Sequence, residues 1–238
     1  MRLVVWNCNM ALHSKVDLLM SLAPDVAIIP ESATPEVLRK KAPSFAYSDC
    51  EWHGWQPAKG LGVFAFGGLS LTRHGSWDPE FPIFLPVEIR GSIRFNLLAV
   101  WAFKAGERPV VAQNPSTTLA AVGHYSSFLK AEPSIVAGDF NAAVVWDSKY
   151  RQGRFSEVDA ALRGLGLSSA YHLTHRVPFG SEPDSTFLLA RNPNKPYHFD
   201  YAYIPQSLCE SGASATVGAP AEWLKYSDHL PLVIEWRA

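Results

Sequence analysis

The chain of 238 residues reads as an α/β sandwich, in which packed β-sheets carry helices on their outer faces. Three observations predict it. Apolar, β-rich runs recur from one end of the chain to the other. Several of them are continuous rather than alternating, as expected for strands covered on both faces. Helix start and stop signals fall between them.

The runs, in order, are Leu3 to Trp6, Val26 to Ile29, Leu61 to Phe66, Phe95 to Val100, Ile135 to Ala137, Phe199 to Ile204 and Leu230 to Trp236. Between them, Ser14 can cap a helix carrying Val16, Leu18, Leu19 and Leu22, with Pro24 beyond its end. Thr34 followed by Pro35 reads as a cap and a first-turn proline. A longer helix is predicted from about Ser116 to Lys130, ended by Pro133. Another opens at Ser156, with Gly164 as its C-cap. No internal repeat, low-complexity tract or long linker divides the chain, so residues 1–238 are read as one domain, a size that sandwiches commonly reach.

Composition narrows the function. Hydrophobic residues make up 47% and charged residues 18%, which argues against long disorder. Lys and Arg number 21 against 22 Asp and Glu, a formal net charge of −1. That balance lacks the global basic footprint of a protein gripping long duplex, though it allows a local patch. The three cysteines, Cys8, Cys50 and Cys209, lack metal-ligand spacing and are odd in number, which points to a reducing compartment. No apolar run approaches ~18 residues, so no membrane span is expected. No secretory leader is visible either, and a cytoplasmic protein without an obligate protein partner is the expectation.

The informative residues sit at the ends of the apolar runs. Three runs stop at a ligand-type side chain: the first at Asn7, the second at Glu31, and the fifth at Asp139, followed by Asn141. Two later runs begin at one, Asp200 and the pair Asp228-His229. Polar residues at strand ends are ordinary in loops. Five such ends are harder to ascribe to chance. If all five meet at one rim, the first three strands point toward it and the last two away, so the groups are antiparallel. Carboxylate and amide oxygens without thiolates suit a hard cation, Mg²⁺ or Mn²⁺. Such an ion, with a histidine oriented by an acid, supplies the parts for attack by water on a phosphate ester.

Taken together, the motifs resemble those of the endonuclease/exonuclease/phosphatase superfamily. Val5-Trp6-Asn7-Cys8-Asn9-Met10 resembles its opening strand, and Asp25 to Glu31 its "DI-x-x-x-QE" element, with Pro30 where Gln is usual. Gly138-Asp139-Phe140-Asn141 is its "GDFN" element unchanged. Ser185-Thr186-Phe187 and His198-Phe199-Asp200-Tyr201 resemble its Thr-Phe strand and "R-I-D-Y", with His198 for Arg; Ser227 to Leu232 resembles the closing "SDH-x-P". Order and approximate spacing agree over essentially the whole chain.

The resemblance implies a four-layered α/β sandwich, two packed β-sheets flanked by helices. It implies Glu31 as principal metal ligand with Asn7 beside it and Asp228 near the metal or its waters. Asp139 would orient or deprotonate the attacking water, and Asn141 would donate to a phosphate oxygen. His229 would contact the scissile phosphate with Asp200 as orienting partner. Which of Asp139 and His229 is the base stays open.

Some residues depart from the family or lie outside its motifs. Many members carry a second catalytic histidine after a middle strand, and Leu97 to Ala102 puts Trp101 at its place; an indole N–H cannot transfer a proton. His124 and Tyr125 are considered as substitutes. Lys149, Arg151 and Arg154, with Trp146 and Tyr150 interleaved, could hold further phosphates or stack a base, or simply be solvated. Asn9 and Trp101 join them as candidate substrate contacts. Trp52, His53 and Trp55, read as a loop, either form a platform or plug onto the core. Arg90 and Arg94 either reach phosphate or flank a strand.

The expected function is hydrolysis of a phosphodiester in nucleic acid with Mg²⁺ or Mn²⁺. Its rivals are a phosphomonoesterase or lipid phosphodiesterase of the same fold, and a catalytically silent binding module.

Overall fold

In this computed structural model residues 1–102 and 116–237 are described. The strands are β1 (Arg2–Val5), β2 (Val26–Ser32), β3 (Asp49–Gln56), β4 (Lys59–Ala65), β5 (Ser70–Arg73), β6 (Phe84–Arg90), β7 (Phe95–Trp101), β8 (Ser134–Asp139), β9 (Leu167–Ser169), β10 (Phe187–Leu188), β11 (Pro196–Tyr197), β12 (Asp200–Pro205), β13 (Ser214–Val217) and β14 (Leu232–Glu235). The helices are α1 (Val16–Met20), α2 (Pro35–Lys41), α3 (Ser116–His124), α4 (Ser126–Ala131), α5 (Phe155–Gly164), α6 (Ala170–His175), α7 (Gln206–Glu210) and α8 (Pro220–Trp223).

The strands form two six-stranded sheets, β13-β14-β1-β2-β4-β3 and β5-β6-β7-β8-β12-β9, and a two-stranded ribbon of β10 and β11. The alternation of a strand explains the layering. Leu3 and Val5 of β1, with Val26 and Ile28 of β2, belong to the core shared by the two sheets. Val4, Trp6, Ala27 and Ile29 point the other way, into a second core with Leu12, Leu19 and Leu38 from the α1 and α2 region. On the second sheet, Phe155, Val158 and Leu162 of α5 cover the face opposite the first sheet, beside Phe140 and Tyr201. The result is the four-layered α/β sandwich expected from the sequence.

Strand direction agrees with the rim argument. β1 runs parallel to β2 and antiparallel to β14. β7 runs parallel to β8, and β12 antiparallel to β8, with Asp200 opposite Asp139. The ends of β1, β2 and β8 therefore share an edge with the beginnings of β12 and β14.

Several local expectations need correction. Ser14 does not cap α1; its hydroxyl donates to the Ala11 carbonyl, closing the preceding turn, and Lys15 occupies the cap position. The helix expected across residues 116–130 breaks at Tyr125 into α3 and α4. α5 begins at Phe155, and the Asp147 carboxylate accepts from the Phe155 and Ser156 amides, a cap supplied from eight residues upstream. Its left-handed closing residue is Gly166, not Gly164. The Thr34 cap holds, with the Val37 amide donating to its hydroxyl. Trp52, His53 and Trp55 lie on strand β3 rather than in a loop. Trp52 donates its indole N–H to the Ser32 carbonyl and lays its ring over Gly54 and Gly60 of the β3–β4 hairpin, whereas Trp55 remains 40% exposed. Arg90 pairs with Glu88 and Arg94 with Glu132, so both flank strands.

Gly138 is placed in β8 by close approach as well as by conformation. Its φ is 148°, and a Cβ there would collide with the Val100 carbonyl of β7. Gly138→Ala is therefore expected to cost about 3 kcal/mol or more, combining backbone strain with displacement of a central strand. Chemical denaturation of the variant checks this.

Candidate active site

Asp139 closes β8 and is wholly buried. Its carboxylate is held from both sheets. Asn7, just past β1, donates its amide Nδ2 to Oδ2 at 3.0 Å. Asn141 donates its main-chain N–H to Oδ1 at 2.9 Å and its side-chain amide to Oδ2 at 3.0 Å. The second amide hydrogen of Asn141 goes to the Ala102 carbonyl at 2.7 Å. Both hydrogens are thus engaged, and in this arrangement Asn141 positions Asp139 instead of pointing a donor at phosphate.

His229 faces the same carboxylate. Its Nε2 lies 3.8 Å from Asp139 Oδ2, and its Nδ1 lies 2.9 Å from Asp200 Oδ2. Asp200, at the start of β12, is completely buried. Thr186 fixes it: the Thr186 hydroxyl oxygen accepts from both the Phe199 and Asp200 amides. The segment carrying Thr186 pairs along the one carrying His229, through Leu230 N–H to the Thr186 carbonyl and Leu188 N–H to the Asp228 carbonyl. Phe187 lays its ring 4.6 Å from the imidazole. Ser227 donates to the Asn7 carbonyl and accepts from the His229 amide, tying the last motif to the first.

The cluster of one imidazole and two buried carboxylates sets its own proton affinities. Burial raises the Asp139 carboxyl to about 7; the imidazolium of His229 opposes this and the neighbouring Asp200 reinforces it. Burial alone would lower His229, but the charges of Asp200 and Asp139 outweigh it and hold the imidazole at about 9. The two acids thus favour a protonated ring, and burial favours a protonated Asp139 carboxyl beside it.

Glu31 sits at a β-bulge between Pro30 and Ser32, with φ 62°. The left-handed turn re-aims a side chain at the end of a strand that otherwise points into the core. Its carboxylate lies 3.2 Å from the Lys59 ammonium of β4, which in turn stands 5.5 Å above the Trp101 ring. Trp101 is buried and directly opposite Asp139 in the β7–β8 register. Asn9, φ 49°, donates its main-chain N–H to Asn7 Oδ1 and its side-chain amide to Asp228 Oδ1. Left-handed backbone at Asn9, Glu31 and Asn141 concentrates strain at this rim.

Two sets of side chains at this rim carry donors suited to a divalent ion. Asp139, Asp200 and His229 lie within 4.8 Å of one another, with the His229 Nδ1 already engaged by Asp200 Oδ2. Glu31, Asn7 and Asp228 offer oxygen donors, and Glu31 already attracts a cation in Lys59.

The remaining candidates are elsewhere or locally engaged. Lys149 stacks over Trp146 and Arg154 donates to the Tyr150 carbonyl; Arg151 is exposed. Among the described residues, no hydrogen bond or salt bridge ties these three to Asp139 or His229. His124 stands 3.5 Å from Asp78, and Tyr125 accepts from the Asp78 amide, so both serve the helix packing and not the rim. His198 donates through Nδ1 to the Asp184 carbonyl, while its Nε2 is buried without a partner. Sequence reasoning quoted Thr186 and Ser227 inside motifs without giving them roles, and it missed Lys59.

No family model matches the chain, and neither does any curated relative. Solved structures do. The 3′-5′ exonuclease NExo from Neisseria meningitidis superposes with a TM-score of 0.73 at 16% identity over 100% of both chains. An AP endonuclease from Archaeoglobus fulgidus gives 0.72 at 17%, again over 100% of both. The endonuclease domain of the telomere-specific non-LTR retrotransposon TRAS1 gives 0.66 at 17%, covering 100% of this chain and 98% of that one. The chain has the fold that these enzymes share.

Proposed function

We propose that this chain, built on the endonuclease/exonuclease/phosphatase fold, is a Mg²⁺- or Mn²⁺-dependent phosphodiesterase that hydrolyses nucleic acid. One observation carries the reading: Asn7, Asp139, Asn141, Asp200 and His229, drawn from both sheets, close into a single bonded cluster. A purely structural role does not require two buried carboxylates around one histidine, since burying such charges is costly.

Each residue has work that follows from its contacts. Asp139, with proton affinity near neutrality, accepts the proton of the attacking water. Asn7 and Asn141 hold its oxygens in place. His229, kept charged by Asp200, faces the developing negative charge on the phosphoryl oxygens. Glu31, with Asn7 and Asp228, would hold the ion, which when bound neutralises phosphoryl oxygens and lowers the pKa of water. Trp101 cannot protonate a leaving group. Three cysteines without disulfides fit a reducing, cytoplasmic setting. No described helix is long and apolar enough to cross a membrane.

The structurally similar proteins include an exonuclease and AP endonucleases, which favours nucleic acid, and one is a 3′ phosphatase bound to product DNA hairpin, which keeps a terminal phosphate in view as the bond cleaved. The test is a panel of single- and double-stranded oligonucleotides, including abasic and 3′-phosphate ends, beside inositol phosphates and sphingomyelin. Cleavage of oligonucleotides alone is expected. Turnover confined to the other substrates would reassign the chain, and no turnover on any of them would leave a silent module.

Ligand binding to the native state should also register in stability. Mn²⁺ is expected to raise the melting temperature of the wild type and to have little effect on Glu31→Gln, as a thermal-shift titration would show. An equal shift in both would place the ion elsewhere.

A further inference from the structure

Behind the rim lies a charged group that the reading above leaves without a role. Asn9, Met10 and Ala11 follow β1 with φ of 49°, 62° and 49°, three successive left-handed residues without a glycine. Such backbone costs roughly 1–2 kcal/mol per residue and needs an external hold. Lys15 supplies it. Its ammonium lies 2.6 Å from the Cys8 carbonyl, 3.0 Å from that of Met10 and 2.8 Å from that of Tyr226, with the Asn9 carbonyl at 3.5 Å. Three close carbonyls use its three N–H donors. Among the described residues, no salt bridge joins Lys15 to a carboxylate. Carbonyl oxygens are the close partners of this half-buried charge, as they are of a bound monovalent cation, with the carboxylates of Glu31 and Asp228 acting on it from farther away.

The carbonyls come from two separate segments. Cys8, Asn9 and Met10 continue from Asn7, and Tyr226 precedes Ser227, Asp228 and His229. On the rim side the same segments are joined by Asn9 to Asp228 and by Ser227 to Asn7. We propose that Lys15 is a positioning residue whose ammonium serves as a permanent internal monovalent cation, fixing the Asn7–Asn9 loop against the Ser227–His229 segment. Its removal should leave a carbonyl cage that takes a free cation of similar size. The kinetic part of this proposal rests on the phosphodiesterase reading; the cage itself does not.

The experiment is Lys15→Met, which keeps the aliphatic stem and deletes the charge. The variant is prepared in tetramethylammonium chloride, whose cation is too large for the cage, and titrated with NH₄Cl or KCl at constant ionic strength. Melting temperature and Mg²⁺-dependent oligonucleotide cleavage are both followed. In tetramethylammonium the variant is expected to lose at least about tenfold in turnover, the scale that a small misplacement of catalytic groups produces. NH₄⁺ or K⁺ should restore both readouts saturably, with the wild type unresponsive. Should the variant fail to fold in tetramethylammonium, recovery of its circular dichroism on adding NH₄⁺ takes the place of the melting readout, and no recovery overturns the proposal. Wild-type behaviour in tetramethylammonium, or loss that no small cation reverses, overturns it too. Thermal rescue without any kinetic effect would reduce Lys15 to a staple and overturn its positioning role. A wild type that cleaves no phosphoester would sink the proposed function, while the melting titration would still decide the cage.

Discussion

His229→Ala is expected to lower phosphodiester turnover by about 10³-fold, the range seen when an electrostatic or acid–base partner of a transition state is removed. The imidazolium is the cation of a cluster that otherwise holds two buried carboxylates, Asp139 and Asp200. Its deletion therefore removes positive charge from the place where negative charge develops. It also leaves the acids uncompensated in the interior, which should destabilise by about 3–5 kcal/mol. His229→Gln separates the two effects. It restores hydrogen bonding to Asp200 without the charge, so it should recover much of the stability and almost none of the turnover. Comparable activity in His229→Gln and wild type would show that the charge is idle.

Asp139→Asn should be as damaging to turnover, and its effect on stability should change with pH. The amide oxygen can still accept from Asn7 and Asn141 at the Oδ2 position, but the new NH2 at the Oδ1 position faces the Asn141 main-chain N–H, which loses its acceptor. The proposed base is gone, and turnover is expected to fall by about 10²–10⁴-fold. Stability follows from linkage. The Asp139 carboxyl is raised from 3.8 to about 7 by burial, so the native state binds this proton more tightly than the unfolded chain. Its contribution is fully present below about 3.8 and is lost as pH rises through about 7. His229, raised from 6.5 to about 9, acts in the same direction, its contribution present below 6.5 and lost through about 9. Wild-type stability should therefore decline from mildly acidic to alkaline pH. Asp139→Asn should flatten the part of that decline below about 7. Denaturation curves between pH 5 and pH 9 compare the two profiles. A steeper decline in the variant would contradict the assignment of that proton to Asp139.

The layers, the strands that end at the rim and the antiparallel relation between them were legible because each depends on local pattern. A continuous apolar run bounded by Asn7, Glu31 or Asp139 reports its own burial and its own end. The strands that escaped are those whose pattern is diluted. β3 carries half-buried residues on both faces as an edge strand, and β6 has Pro86 in mid-run. The caps that failed did so for non-local reasons: Ser14 found a closer carbonyl at Ala11, and α5 took its cap from Asp147. In the candidate site, the residues within motifs could be named but their partners could not. Thr186 beneath Asp200, Lys59 on Glu31 and Lys15 under Asn9 are joined by contacts spanning from 6 to more than 200 residues of sequence. No spacing rule announces such pairs. Asn141 shows the converse, since its motif suggests a phosphate donor while its hydrogens are committed to Asp139 and Ala102.

The central claim is that these residues converge to hydrolyse a phosphodiester with a divalent ion held at Glu31. The most direct measurement follows cleavage of a labelled oligonucleotide in Mg²⁺, then in excess EDTA, then with Mg²⁺ restored, for wild type beside Glu31→Gln. Cleavage that stops with chelation, returns with the ion and is weak throughout in Glu31→Gln is the predicted result. Cleavage indifferent to EDTA, or undiminished in Glu31→Gln, would contradict it.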